Sequence, residues 1–97
     1  MNFGQAIEAM NSGKRVSRNG WNGKSMFVYK TVGNTVSKDF IPKFASLPDD
    51  VKSFLADKGQ DVVFHPSITM YTATGEMQPG WLASQADILA IDWDIVN

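Results

Sequence analysis

The sequence predicts an α+β fold: a small antiparallel β-sheet with an N-terminal helix, an inserted surface helix and a short C-terminal helix. Three observations predict it. Phe3, Ala6, Ile7 and Met10 recur at i, i+3, i+4 and i+7, one apolar stripe of a helix over residues 2–11. Residues 26–32 read Met-Phe-Val-Tyr-Lys-Thr-Val, an aromatic and β-branched strand pattern. Turn signals at Asn22-Gly23, Gly33-Asn34, 72–76 and Pro79-Gly80 punctuate the chain into short strands.

The elements follow in order. Asn2 can cap the first helix, with Gln5 in capping-box position, and Gly13 closes it. Residues 14–18 form a short polar strand with Arg15 and Arg18 on opposite faces. After the strand at 26–32 and a Gly33-Asn34 turn, Thr35-Val36-Ser37 and Phe40-Ile41 make a short return strand ending at Pro42. Residues 46–58 form the inserted surface helix. Ser46 can cap it, Pro48 suits its first turn, Asp49 and Asp50 complement its N-terminus and Gly59 ends it. Its apolar stripe, Val51, Phe54 and Leu55, covers one side only. Residues 62–64 and 68–71 are strands divided by His65-Pro66, because proline cannot donate to a ladder. A hairpin turn at 72–76 leads to a return at Met77-Gln78. Ser84 with Asp87 three residues on marks the start of the short C-terminal helix. Ile88, Leu89 and Ile91 are expected to supply its buried side. The alternation in 92–96 makes the end of the chain a strand.

Composition bounds the function. The chain has 97 residues, 43% hydrophobic and 20% charged, which makes residues 1–97 a single domain. A net charge of −1 gives no global basic field for duplex nucleic acid or an anionic membrane. There is no cysteine, hence no disulfide framework, thiolate nucleophile or Cys-type zinc site. No stretch reads as a signal peptide or membrane span. No metal or cofactor is expected, and the glycines do not match a phosphate-loop or dinucleotide spacing.

The densest stretch is Arg18-Asn19-Gly20-Trp21-Asn22-Gly23-Lys24-Ser25-Met26-Phe27. An aromatic plate beside positive charge can hold a planar anion, with Arg18 turned toward a phosphate; the bland alternatives are a charged edge strand and a core tryptophan. Catalysis is poorly supported: His65 is the only histidine, and no motif flanks a Ser- or Lys-based nucleophile. Asp92 and Asp94 share a strand face, which suits a carboxylate pair or, more simply, a salt bridge to Arg15 or Arg18. Binding is better supported. Trp21, Phe27 and Trp81 all adjoin turns and could wall a pocket, with Asn22, Ser84, Gln85 and Asp87 supplying directional hydrogen bonds. Base–aromatic stacking is worth about 1–3 kcal/mol per base.

Two separated signatures resemble one family. Gly20-Trp21-Asn22-Gly23-Lys24-Ser25-Met26-Phe27 looks like its N-terminal motif, and 81–90 followed by Asp92-Trp93 looks like its C-terminal one. Phe3-Gly4-Gln5-Ala6 and Gly13-Lys14-Arg15-Val16 also match. The family is the phage-encoded Thoeris anti-defence proteins of the second type. The resemblance covers nearly all of the chain outside 36–60, and Ile91 departs from the acidic residue expected there. It implies a sponge that is no enzyme. Such a protein binds a cyclic ADP-ribose-type signal, notably glycocyclic ADP-ribose, in the cytoplasm of the infected bacterium and holds it intact. It also implies a homotetramer with ligand pockets at subunit contacts. In some members a second site takes cyclic oligonucleotides. Carried over by position, Arg18, Asn22 and Lys24 would address phosphate and polar groups, Trp21 and Phe27 would stack, and Trp81, Ser84, Gln85 and Asp87 would complete the pocket. The alternatives are a protein-interaction module that blocks a host defence protein directly, and a cyclic-nucleotide hydrolase.

Overall fold

A computed structural model describes residues 1–21 and 25–97. The order of elements is α1 (Phe3–Asn11), β1 (Val16–Arg18), β2 (Phe27–Thr31), β3 (Asn34–Val36), a 3₁₀ turn (Ile41–Lys43), α2 (Asp49–Lys58), β4 (Val62–Phe64), β5 (Ser67–Tyr71), β6 (Met77–Pro79), α3 (Gln85–Leu89) and β7 (Trp93–Ile95). This is the α+β arrangement expected, with every strand pairing antiparallel. Among the described residues, no helix is long and apolar enough to cross a membrane. The chain divides into two compact units, residues 1–31 with 67–97, and residues 32–66.

The first unit is built on a five-stranded sheet in the order β6-β5-β2-β1-β7. Its outermost strand on one side, β7, is the last of the chain and pairs with β1, the first. Alternation sends Val16, Val28, Met70 and Trp93 to one face. All are buried, Trp93 completely, together with Ala6 and Met10 of α1. Full burial of an apolar side chain of this size stabilises by roughly 1.5–3 kcal/mol. Phe3, Ala6 and Met10 of the α1 stripe therefore pack as their spacing predicts, whereas Ile7, at the edge of the stripe, is 39% exposed. The ends of α1 also match: Asn2 and Gln5 form a reciprocal capping box, and Gly13 follows the C-cap with φ +85°. At its other end α3 opens with the predicted box, the Ser84 hydroxyl accepting from the Asp87 N–H. Its apolar side corrects the sequence reading. Ile88, Leu89 and Ile91 are 47%, 77% and 82% exposed. A helix of one and a half turns turns few residues inward, and the indole of Trp93 already fills the space beneath it, donating Nε1–H to the Asp87 carbonyl at 2.9 Å.

The second unit pairs β3 with β4. Two further expectations are corrected here. Phe40 and Ile41 form no return strand. Both N–H groups turn back to the Ser37 carbonyl, and Pro42, early in the 3₁₀ turn, supplies no donor for a ladder. Ser46 does not cap α2, which starts at Asp49 behind Pro48 in an extended conformation (ψ 154°), with no side-chain cap. The predicted stop is present, Gly59 lying in the left-handed region. No residue of α2 is fully buried, so it is the surface helix expected. The unit's small core holds Val36 and Ile41, beside Phe44 stacked on Phe64 at 5.1 Å. Gly33 is required by contact: a Cβ there would lie 2.4 Å from the Phe64 carbonyl oxygen and 2.8 Å from the Pro66 nitrogen.

Candidate functional site

The sheet face opposite α1 carries the site. Its pairing runs Asp94↔Ser17 from β7 to β1 and Phe27↔Tyr71 from β2 to β5. The Val16↔Val28 register joins the two pairs into one row across four strands. Three strand spacings of ~4.8 Å give that row a length of about 14 Å. It passes from a carboxylate, over the small Ser17, to two rings. Phe27 and Tyr71 stack at 5.1 Å with planes 15° apart. Arg15, two residues from Ser17 on the same strand face, lays its guanidinium 5.1 Å from the Phe27 ring centroid. These side chains, with Trp21 at one end, line a cavity of about 750 Å³ in the first unit.

Trp21 is both a core residue and a cavity wall. All three tryptophans of the chain meet edge to face: Trp21 to Trp93 at 5.4 Å, Trp21 to Trp81 at 6.2 Å and Trp81 to Trp93 at 6.3 Å. The fully buried Trp93 anchors the cluster, and half-buried Trp21 carries it into the cavity. Ser25, on the far side of the Asn22–Lys24 stretch, also lines the cavity and holds φ +61°, a left-handed conformation that costs a non-glycine residue about 1 kcal/mol.

Arg18 reaches the cavity wall with its charge already engaged. Its Nη1 bonds Asp87 Oδ1 at 2.9 Å and its Nε bonds Asp92 Oδ1 at 3.0 Å. The Asp92 and Asp87 hydrogen bonds hold the guanidinium in its charged form, above its ordinary range. Burial pushes the Asp87 carboxyl up. The Ser84 backbone N–H and Arg18 outweigh that effect and leave it below its ordinary value of 3.8. The cluster ties the α3 start to β1 and to the residue preceding β7.

Of the residues singled out from sequence, Arg18, Trp21 and Phe27 come together in the cavity wall. Asn22 and Lys24 lie outside the described residues. Trp81 backs the wall through its contact with Trp21. Ser84 and Asp87 are occupied with each other in the cap and, for Asp87, with Arg18; these two and exposed Gln85 do not line this cavity. The Ser84 N–H donates to Asp87 Oδ2. Asp92 makes the foreseen bridge to Arg18, whereas Asp94 faces the cavity. His65 sits in the break between β4 and β5 and is not among the residues that line the cavity. Sequence reasoning missed Arg15 and Tyr71 as cavity residues. Strand alternation puts Arg15 and Ser17 on the face opposite Val16, but nothing local names Tyr71 as the partner of Phe27.

The Thoeris anti-defense 2-like domain profile matches residues 1–96. A protein of Bacillus phage SP01 named Thoeris anti-defense 2 is 35% identical over 97 residues, covering 100% of this chain and 96% of that relative. With a profile match over residues 1–96 and a full-length relative at 35% identity, the chain belongs to the Thoeris anti-defense 2-like family.

Proposed function

We propose that this protein counters Thoeris defence during phage infection by binding a cyclic ADP-ribose-type signal, such as glycocyclic ADP-ribose, and holding it intact so that the effector is not activated. Membership in the family, and the name of the phage SP01 relative, support the anti-defence role. The observation that carries the sequestration reading is the composition of the cavity. Stacking rings from Trp21, Phe27 and Tyr71 and a cation from Arg15 share about 750 Å³, within the ~300–1,000 Å³ of small-molecule sites. Those groups bind a planar, phosphorylated ligand, and the chain's single histidine, His65, is not among the lining residues. The protein acts in this reading as a binder and not as an enzyme, in the cytoplasm of the infected host. Leu82, Leu89 and Ile91, 88%, 77% and 82% exposed, support self-association, in keeping with a homotetramer.

The test is to mix protein with glycocyclic ADP-ribose, remove free ligand, denature, and identify what is released by mass spectrometry. Release of the intact molecule is the expected result. A chemically altered product would make the protein an enzyme, and no retention at micromolar concentration would remove the ligand from the account. The same exposed residues around α3 favour a second reading, a module that blocks a defence protein by direct contact. Co-purification of one host defence protein, with no small molecule retained, would establish that reading instead.

A further inference from the structure

The two charged side chains that line the cavity from opposite sides of Ser17 are arranged differently from Arg18. Arg18 is matched by two carboxylates within 3.0 Å. Arg15 and Asp94 lie on the same sheet face, Arg15 beside Val96 and Asp94 opposite Ser17, as diagonal neighbours within reach of long side chains. Yet among the described residues neither makes an ion pair. Arg15 instead lies over the Phe27 ring, its guanidinium carbon 5.1 Å from the ring centroid. Both are exposed. One cavity thus offers a cation and a carboxylate, neither in an ion pair among the described residues, at the two sides of a small serine and next to a stacked aromatic pair.

We infer that Arg15 is the residue that holds the ligand's phosphate, that Asp94 accepts hydrogen bonds from a free pair of ribose hydroxyls, and that Arg18 is a positioning residue which fixes the cavity wall. This rests on the cyclic ADP-ribose reading and deepens it into a specificity. The planar fork of arginine bonds phosphate oxygens in pairs, and stacking on Phe27 pre-orders it. A carboxylate is acceptor-only, so it suits two hydroxyl donors and repels a phosphate at the same place, the logic by which acidic residues read an unmodified ribose. The site therefore selects ligands whose ribose hydroxyls are unsubstituted at the Asp94 side and discriminates against a phosphate there. A guanidinium already held by Asp87 and Asp92 has little charge left to attract a ligand anion, which removes Arg18 as the phosphate contact.

The experiment is calorimetric titration of the full chain with cyclic ADP-ribose and with its 2′-phosphorylated counterpart, for wild type, Arg15→Gln, Arg15→Lys and Asp94→Asn. Melting curves of each variant accompany the titrations. Arg15→Gln should weaken both probes by about 10–100-fold and flatten the salt dependence of binding, with Arg15→Lys falling between. Wild type should prefer the unphosphorylated probe by about tenfold or more, and Asp94→Asn should shrink that preference to within about threefold. A ratio of two affinities does not move with a general loss of folding, so it reports the role and not the scaffold. Wild-type affinity in a folded Arg15→Gln variant, or an unchanged preference in Asp94→Asn, would overturn the inference while leaving the sequestration reading in place. If wild type binds neither probe nor glycocyclic ADP-ribose, the sequestration reading fails, and the inference fails with it.

Discussion

The two faces of the five-stranded sheet use the same strands for opposite ends. On the α1 side, Val16, Val28, Met70 and Trp93 are 0–8% exposed and pack into one apolar cluster, with the Trp93 indole N–H donating to the Asp87 carbonyl at its edge. On the other side, the alternate residues of those strands are Ser17, Phe27, Tyr71 and Asp94, half-buried or exposed, mixing rings with a carboxylate that makes no ion pair among the described residues. A strand cannot optimise one face at the expense of the other, because each residue belongs to one side only. The division lets the binding face change chemistry without entering the core. Trp21 crosses the division, since it contacts Trp93 and also lines the cavity, and so do Met26, packed on the core, and Arg18, paired with Trp93 in the β1–β7 register.

Substitutions sort by face if this division holds. Trp93→Ala removes a fully buried ring and its hydrogen bond to the Asp87 carbonyl. It should cost about 3–5 kcal/mol, a large part of the ~5–15 kcal/mol that holds such a domain together, and denaturant titration measures it. Trp21→Ala should do both kinds of damage. We expect a loss of about 1–3 kcal/mol in stability together with at least ~5-fold weaker ligand binding; intact stability would assign the ring to the cavity alone. Tyr71→Ala should leave stability within about 1 kcal/mol and weaken binding by roughly 5–100-fold, and a melting drop as large as that of Trp93→Ala would break the comparison. The smallest effect is electrostatic. Asp87 has a folded-state value below 3.8, so its contribution is complete above that value and is lost as pH falls through the lower folded one. The melting temperature of wild type should therefore exceed that of Asp87→Asn near neutrality, and the gap should close in acid.

The local signals were legible in the sequence. The capping boxes at Asn2/Gln5 and Ser84/Asp87, the helix stop at Gly59 and the strand break at His65-Pro66 each depend on residues a few positions apart, and each is present. The Arg18, Trp21 and Phe27 part of the cavity was legible too, because it lies in one short stretch. The remainder depends on partners brought from far along the chain. Tyr71 meets Phe27 only through β2–β5 pairing, and Asp94 meets Ser17 only through β1–β7 pairing. The exposure of Ile88, Leu89 and Ile91 was hidden for a related reason. Apolar spacing signals a face that excludes water, without saying whether this chain supplies the cover.

Gly33 gives the middle of the chain a property of its own. Its backbone lies against Phe64 and Pro66, so the stretch from 34 to 64 leaves and returns through one pinch point. Just outside it, Thr31 and Ser67 are already paired in the larger sheet. Length changes between those points are therefore insulated from the β2–β5 register, and doubling a flexible connection costs only ~0.6 kcal/mol of closure entropy. The segment is a cassette, open to trimming, lengthening or replacement as relatives diverge, and a natural place to graft an epitope or fluorophore. Exchanging residues 38–60 for a short Gly/Ser linker should leave ligand titration of the remaining protein unchanged, whereas Gly33→Val should disturb the cassette's closure.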